Sequence, residues 1–243
     1  MSRTFVIGDI HGALRALTPL LDRLDLRRGD TLIFLGDYVD GWSESAGVIE
    51  YLMEVAKAYR CVFLKGNHDV WCEEWLAGGR LDESWLSHGG LATLESYARL
   101  PGTRRKQHLA FFRDMQLYHL DERDRLFIHA GFTSQHGPEG EHFPPMFTWD
   151  RTLWEMALAM DDRIPSSAPR YPKRLLLFPE IFIGHTPTTL YDQTTPMHAC
   201  NVWNLDTGAA FMGRLSAMDV DTREYWQSEV VQTLYPGEKG RNT

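Results

Sequence analysis

The sequence is poor in cysteine. Its three cysteines, Cys61, Cys72 and Cys200, are an odd number, and no two of them form a CxxC pair. This pattern argues against the disulfide framework of a small secreted domain. We therefore expect all three to be small hydrophobic side chains of the interior.

Long apolar runs are also missing. No stretch approaches the roughly 18 apolar residues of a membrane span, and the apolar stretch near the N-terminus covers four residues, which is too short for the core of a signal peptide. No internal repeat, coiled-coil pattern or low-complexity tract is present. We expect a soluble, cytoplasmic protein that binds no membrane.

An excess of positive charge is absent as well. The chain has 33 acidic and 25 basic side chains, which give a formal charge of −8 with histidine neutral. Such a chain repels phosphate-rich partners unless basic residues are concentrated locally. We expect no nucleic-acid binding, and any binding of phosphate needs a local source of positive charge.

What the sequence does contain is typical of one folded domain. The 243 residues are 43% hydrophobic and 24% charged, which is enough to bury a full core and excludes a disordered chain. We predict a single domain over residues 1–234 and a frayed, flexible tail over residues 235–243.

Short apolar runs alternate with amphipathic stretches in the first third of the chain. Strands are predicted at residues 4–7, 31–35 and 61–65, and helices at residues 14–24 and 45–59. The second helix has Ser43 or Ser45 as its N-cap. Strands that alternate with helices predict a layered α/β fold with a largely parallel sheet.

The remaining two thirds follow a different pattern. An aromatic-rich helical segment over residues 70–116 is expected to lie over the strand ends. Two further strands are predicted at residues 126–128 and 181–183, followed by short antiparallel strands at residues 201–205, 209–214, 216–220 and 224–226. The fold is therefore expected to be α/β in its first part and mixed in its second.

Five polar clusters follow predicted strands. They are Gly8-Asp9-Ile10-His11-Gly12, Gly36-Asp37-Tyr38-Val39-Asp40, Gly66-Asn67-His68-Asp69, His129-Ala130-Gly131 and Gly184-His185-Thr186. In open α/β sheets, ligands bind at the carboxyl ends of the strands, so these loops should converge on one place. Their carboxylates, amide and imidazoles form a donor set that suits manganese, iron or zinc.

In this order, the clusters resemble the signature of the calcineurin-like metallophosphoesterases. Within them, the resemblance is to the phosphoprotein phosphatase family, which includes bacterial serine/threonine phosphatases and is related to the diadenosine tetraphosphatases. The family motifs are GDxHG, GDxVDRG, GNH(E/D), H(A/G)G and GH, and the resemblance spans residues 4–213. Four motifs match, but Gly41-Trp42 stands where the second motif has Arg-Gly.

The resemblance implies a central mixed β-sandwich flanked by helices and two divalent ions, with manganese preferred over iron or zinc. Asp9 and His11 would bind the first ion, and Asp37 would bridge both. Asn67, His129 and His185 would complete the second site. A bridging hydroxide would then attack a phosphate monoester in line.

The resemblance also assigns a proton donor to the leaving oxygen. His68 matches the family's catalytic histidine, and Asp40 matches the carboxylate that orients the imidazole. An ordinary turn residue is the competing interpretation of Asp40. Asp69 is interpreted as a helix cap rather than a ligand.

Phosphate needs a clamp besides metal, and a guanidinium fits best. Arg151, in a segment that resembles the WxR piece of bacterial relatives, is the candidate, although it could be a surface arginine at a helix start. Asn67 and His88 are further candidates for phosphate contact. Because Gly41 replaces one family arginine, a basic residue such as Lys65 or Arg80 is a candidate substitute.

Three functions stay open at this point. The first is a protein serine/threonine phosphatase, with tyrosine as a further target, whose partner is a phosphorylated protein or a small phosphoester. The second is a hydrolase of dinucleoside polyphosphates such as diadenosine tetraphosphate. The third is a metal-stabilised binding module that lost its catalysis together with the second-motif arginine, which Gly41 replaces. The sequence leaves the oligomeric state open.

Overall fold

A computed structural model of the protein describes residues 2–242. Its strands, β1 to β10, are Thr4–Ile7, Thr31–Phe34, Arg60–Phe63, Tyr118–Leu120, Leu126–Ile128, Ile181–Ile183, Met197–Ala199, Val202–Asn204, Ser216–Asp219 and Tyr225–Gln227. Its helices, α1 to α9, are Leu14–Arg23, Ser45–Ala58, Asn67–Leu76, Glu83–Trp85, Leu91–Tyr97, Gly102–Arg113, Met146–Trp149, Thr152–Leu158 and Val231–Leu234.

The first sheet has the strand order β10-β9-β1-β2-β3. Strands β1, β2 and β3 run parallel, with Ile7 beside Phe34 and Phe34 beside Phe63. These are the strands that the alternation with helices predicts, because parallel neighbours need a crossover between them. Strand β9 pairs antiparallel with β1, and β10 pairs antiparallel with β9.

The second sheet has the order β4-β5-β6-β8-β7. Its central strands β5, β6 and β8 are parallel, and the edge strands β4 and β7 are antiparallel to their neighbours. Strands β4 and β7 were not predicted, since both are short and mix apolar residues with a histidine. Both sheets are mixed, as the predicted β-sandwich requires.

The two sheets pack face to face between layers of helices. One apolar cluster joins them and includes Val6 and Ile33 of the first sheet and Phe127 and Phe182 of the second, whose rings stack at 4.9 Å between centroids. The opposite faces of the sheets are covered by helices, so the central strands are apolar on both sides. The predicted layered α/β fold is confirmed.

Two local predictions were wrong. Residues 209–214 form a tight turn instead of a strand, in which the amides of Phe211 and Gly213 donate to the carbonyl of Gly208. Backbone donors used in this way are not available for a sheet ladder. Helix α2 begins after Glu44, without a side-chain cap from Ser43 or Ser45.

The expectation of a frayed tail also needs correction over residues 235–242. Tyr235 is fully buried, and its ring stacks on Trp42 with centroids 5.1 Å apart. The Arg241 amide donates to the Ala210 carbonyl at 2.9 Å. This C-terminal segment, defined as residues 235–242, therefore packs on the domain.

The structure also tests the expectations for a membrane-spanning helix and for the three cysteines. Among residues 2–242, no helix combines the length and apolar character that a membrane-spanning helix needs. The three cysteines carry no disulfide: Cys72 is buried, Cys61 is half-buried and Cys200 is exposed. The prediction of an interior position is therefore wrong for Cys200.

Candidate functional site

The loops after β1, β2, β3, β5 and β6 meet at one edge of the sandwich. The His11 amide donates to the Asp37 carbonyl at 2.8 Å, and the Gly184 amide donates to the His129 carbonyl at 2.8 Å. The first bond joins two loops of the first sheet, and the second joins two loops of the second sheet. The five clusters predicted to converge are thus adjacent in the fold.

Two strand-end glycines allow the acidic side chains to come close to backbone. A Cβ on Gly66 would overlap Oδ1 of Asp37, and a Cβ on Gly184 would overlap Oδ1 of Asp9. Only glycine leaves room for either carboxylate. These two glycines therefore have a packing reason in addition to the turn.

Asp37 lies at the centre of the donor groups. Its Oδ2 is 3.5 Å from Nε2 of His11 on one side and 3.5 Å from Nε2 of His129 on the other. Two sets of metal-competent donors share Asp37: His11, Asp37 and His68 form one, and Asp37, His129 and His185 form the other. A carboxylate shared by two donor sets is the arrangement that a pair of cations requires.

The tautomers of two histidines leave their outer nitrogens free for a cation. His11 and His129 each donate from Nδ1 to a backbone carbonyl, that of Val39 at 3.2 Å and that of Leu35 at 2.8 Å. Nε2 of His129 then carries a lone pair that faces the Asn67 amide oxygen at 3.3 Å. Two acceptors facing each other are stabilised when a cation lies between them.

Two further buried atoms lack a partner among the described residues, Oδ1 of Asp9 and Nε2 of His185. The other oxygen of Asp9 accepts from the His185 amide at 3.0 Å. Buried polar atoms normally have a hydrogen-bond partner. Together with the shared Asp37, these orphaned atoms fit a site for divalent cations, and all six predicted ligands lie in it.

The pKa shifts of the site residues also fit a site for divalent cations. Burial lowers the pKa of His11, His129 and His185, which favours the neutral form of the imidazole, the form that can ligate a metal. Burial, with the charges of Asp206 and Asp37, raises the pKa of Asp9. Buried carboxylates crowded in this way need added positive charge.

Asp37 behaves differently from Asp9. Burial opposes its ionisation, but the surrounding imidazoles, led by His129 and His68, hold the pKa of the Asp37 carboxyl below its ordinary value. The buried Asp206, in contrast, has a pKa raised by burial to about 6. Asp37 therefore stays ionised more readily than Asp9 or Asp206.

The backbone at the site is strained. His11, Asp37, Asp40 and His185 all have positive φ, between 52° and 73°. Residues other than glycine adopt this left-handed conformation rarely and at a cost of order 1–3 kcal/mol each. Such residues are concentrated at functional sites, where the surrounding structure holds them in place.

Asp40 is buried and holds His68. Nδ1 of His68 donates to Oδ2 of Asp40 at 2.6 Å, and the Trp85 indole donates to the same oxygen at 2.7 Å. The Thr93 hydroxyl donates to Oδ1 at 2.6 Å. A carboxylate with three donors has little freedom to move, so Asp40 is not an ordinary turn residue.

Asp69 has more contacts than the predicted helix cap. Its carboxylate accepts from the amide of Gly66 at the start of α3, and also from the amides of Asp37 and Tyr38 at 2.8 and 2.9 Å. Asp69 thereby ties the loop after β2 to the start of α3. No sequence signal points to the bonds from the Asp37 and Tyr38 amides.

A cavity of about 160 Å³ opens onto the site. Of the predicted residues, it is lined by Asp37, Asn67, His68, His88, Arg151 and His185. The unpredicted lining residues are Trp71, Trp149 and Arg241. The tryptophan rings meet edge to face at 5.1 Å between centroids, and Trp149 is 42% exposed.

The residues predicted to contact phosphate differ in their position relative to this cavity. Arg151 is exposed, and its Nη1 donates to the Thr186 hydroxyl at 3.1 Å. His88 is exposed at the rim of the cavity, where Nδ1 donates to the Ser84 carbonyl at 2.6 Å. Lys65 and Arg80 do not line the cavity described above, and Lys65 pairs with Glu73.

The site combines imidazoles and carboxylates around a shared aspartate. It lies at the strand ends of a two-sheet sandwich. This combination is typical of the class of metal-dependent hydrolases. The sequence model of the calcineurin-like phosphoesterase family matches residues 2–212. The chain belongs to this family and is a metal-dependent phosphoester hydrolase. The predicted family resemblance is confirmed.

The individual relatives have low sequence identity to this chain. The chain is 27% identical over 237 residues to the asymmetrical bis(5'-nucleosyl)-tetraphosphatase PrpE of Bacillus thuringiensis (strain Al Hakam), with 88% of each chain covered. The same enzyme of Bacillus anthracis (strain CDC 684 / NRRL 3495) is also 27% identical, with the same coverage.

A solved structure of a protein serine/threonine phosphatase from Saccharomyces cerevisiae has a TM-score of 0.64 at 14% identity, and the match covers 100% of this chain and 84% of the other. At this identity the likeness establishes the fold alone.

Proposed function

We propose that the site binds two divalent cations, manganese in the first instance, and hydrolyses phosphoesters. The observation that carries the proposal is Asp37, whose Oδ2 lies between the imidazoles of His11 and His129 at 3.5 Å from each. Asp9 and His11 would hold one cation, and Asn67, His129 and His185 the other. When bound, such cations polarise the phosphate and supply a nucleophilic water.

His68 would protonate the leaving oxygen. Its Nδ1 proton is fixed on Asp40, so its Nε2 is the nitrogen left for the substrate. An imidazolium at this position gives its Nε2 proton to the oxygen that leaves phosphorus as the ester bond breaks. Asp40 stabilises the charged ring before the transfer and acts as a positioning residue.

Arg151 would anchor the phosphate. Its guanidinium lines the cavity and is held on one side by Thr186, so other donors remain for a phosphate oxygen. A guanidinium matches the geometry of two phosphate oxygens and stays charged at all relevant pH values. Asn67 and His88 are the further candidates for contact with substrate.

For the substrate class, we propose dinucleoside polyphosphates. A second cavity, of about 570 Å³, adjoins the first through Arg151 and His185, and its lining includes Pro187, Leu190 and Phe211. Apolar and aromatic side chains beside a phosphate site suit a nucleobase. The Bacillus relatives that carry a tetraphosphatase name are consistent with this choice.

A phosphorylated serine or threonine in a protein is the second candidate, with phosphotyrosine as a variant of it. The observation in its favour is the rim formed by Trp71 and the 42% exposed Trp149. This exposed aromatic surface lies next to the cavity of about 160 Å³, which we call the phosphate cavity. It can receive the residues that flank a phosphorylated side chain.

The two candidates are separated by parallel kinetics. The protein with added Mn²⁺ is assayed on diadenosine tetraphosphate, a phosphoserine peptide and p-nitrophenyl phosphate. A higher kcat/KM for diadenosine tetraphosphate supports the first candidate, and a higher value for the peptide supports the second. Two bound metals with no turnover of any substrate would overturn both and favour a binding module.

We also propose that the protein acts in the cytoplasm. Its cysteines form no disulfide, which is consistent with a reducing compartment. Fractionation of cells that express the untagged chain, followed by immunodetection, tests this proposal.

A further inference from the structure

Gly41 lies beside the side chain of Arg241, which lines the cavity of the candidate site. Its backbone has φ of +104°, and its amide donates to the Gly89 carbonyl at 3.2 Å. A Cβ on Gly41 would lie 3.3 Å from Cγ of Arg241, and a Cβ on Gly89 would lie 3.2 Å from the same atom. The stem of Arg241 thus occupies the room that these two glycines leave.

The residues directly after Gly41 hold the C-terminal segment in this position. Trp42 stacks on Tyr235 and donates from its indole nitrogen to the Ala209 carbonyl at 2.8 Å. The amide and hydroxyl of Ser43 both donate to the Glu238 carboxylate, at 3.0 and 2.8 Å. The Arg241 stem is therefore seated by a local structure rather than by chance contact.

Arg241 lies at the junction of the two cavities. Arg241 lines the phosphate cavity together with Asp37, His68 and Arg151. It also lines the second cavity, of about 570 Å³, which we call the apolar cavity. Its Cζ stands 5.2 Å from the centroid of the Phe211 ring. An arginine whose stem is packed and whose charged end faces a cavity loses little entropy when it binds an anion.

A phosphate in this cavity needs hydrogen-bond donors beside the proposed cations, and a guanidinium supplies them in the geometry of two phosphate oxygens. A phosphoester brings one or two negative charges into a site that already contains buried carboxylates. Among the residues of 2–242 that line the phosphate cavity, the guanidinium groups are those of Arg151 and Arg241. Two guanidiniums on different sides of a phosphate hold it in one orientation.

We propose that Arg241 is a phosphate-binding residue that supplies, from the C-terminal segment, the second guanidinium that is missing at position 41. This inference rests on the proposed function and extends it to the residue that completes the substrate site. The ligand chemistry is a phosphate group, and the junction with the apolar cavity makes a phosphate next to a nucleoside the best match.

The test compares Arg241→Gln and Arg241→Lys with the control Lys239→Gln. Lys239 is exposed in the same segment and does not line the phosphate cavity, so the control removes the same charge from a nearby place. Removal of one preorganised donor to a transition state lowers rates by about 10²-fold. We expect Arg241→Gln to lose about 10²-fold in kcat/KM, Arg241→Lys to lose less, and Lys239→Gln to match the parent protein.

A binding measurement provides a readout besides activity. Inorganic phosphate should raise the Tm of the manganese-loaded protein, and the phosphate concentration needed for half of this shift should rise about tenfold in Arg241→Gln. Metal content and circular dichroism should not change. If the parent protein turns over no phosphoester, the proposed function fails, but the phosphate shift still tests Arg241.

An equal phosphate shift and an equal kcat/KM in Arg241→Gln and the parent protein would overturn the inference. A loss of the same size in Lys239→Gln would also overturn it, because the effect would then reflect net charge rather than a contact.

Discussion

His68 and Asp40 are 28 residues apart in the chain, and Nδ1 of His68 donates to Oδ2 of Asp40 at 2.6 Å. Both residues are buried, with 1% and 0% of their surface exposed. The bond joins the loop after β2 to the start of α3. Because it fixes one nitrogen of the ring, it determines which nitrogen can serve the substrate.

We predict that Asp40→Asn lowers kcat by about 10² to 10³-fold on substrates with poor leaving groups. The loss should be smaller on p-nitrophenyl phosphate, because nitrophenolate leaves without a proton. Steady-state kinetics on both ester types measure this split. Trp85→Phe removes one donor to Asp40 and should cost only about 1 kcal/mol of positioning. Equal losses on both esters would contradict a role in proton transfer.

We predict that chelation lowers the Tm and that Mn²⁺ restores it. The orphaned Oδ1 of Asp9 and Nε2 of His185 gain a partner when metal binds. A ligand at 100 times its Kd stabilises the folded state by about 2.7 kcal/mol. Thermal scans of chelator-treated protein with and without Mn²⁺ measure the effect, and elemental analysis should find two metals per chain.

The same experiment has an internal comparison. Asp37→Asn should lose both metals because Asp37 belongs to both donor sets, whereas His185→Ala should lose mainly one. Retention of two metals by Asp37→Asn would rule out the shared-ligand arrangement.

We predict that Gly66→Ala abolishes metal binding and lowers activity more than 10²-fold. The added Cβ would overlap Oδ1 of Asp37 and push the carboxylate away from the imidazoles. Gly102→Ala is the matched control, because a Cβ at Gly102 meets nothing within 4 Å. Metal analysis and kinetics on both variants check the prediction, and normal metal content in Gly66→Ala would refute it.

We predict a pH dependence of stability that depends on His108. Burial, with the charge of Arg104, lowers the pKa of His108 from 6.5 to about 4, so the unfolded chain binds a proton between these values while the folded protein does not. Stability should therefore fall as pH drops from 6.5 towards 4 and should not change above 6.5 on account of this group.

The measurement is the free energy of unfolding at pH 7 and pH 5 in urea. The drop between the two should be smaller by about 1 kcal/mol in His108→Gln than in the parent protein. The His108 ring contacts the Tyr97 hydroxyl and the Glu50 carboxylate, and glutamine can contact both. An identical drop in the two proteins would mean that His108 titrates normally.

The positions of the site residues could be predicted because each follows a short apolar strand. Asp9, Asp37 and Asn67 come directly after the glycines that follow β1, β2 and β3 by one to three residues. Parallel strands bring their carboxyl ends to the same edge, so a local pattern was enough to gather these residues. The roles of the ligands remain predictions.

The partners of Asp40 could not be predicted in this way. Trp85 and Thr93 contact it across 45 and 53 residues, and neither residue type carries a spacing signal for that distance. The C-terminal segment was missed for a similar reason. Its glycines and charged residues are typical of a tail, and the contacts that hold it, such as the stack of Tyr235 on Trp42, join positions far apart in the sequence.

The pairing of β1 with β9 has a consequence for how the chain folds. Val6 lies opposite Met218, so one side of β1 is hydrogen-bonded to a strand more than two hundred positions later in the sequence. Contacts of such separation form slowly, because a long loop must close first. Until β9 arrives, β1 exposes an edge able to pair with other chains. Refolding at high concentration should therefore favour aggregation, and dilute refolding should recover more protein.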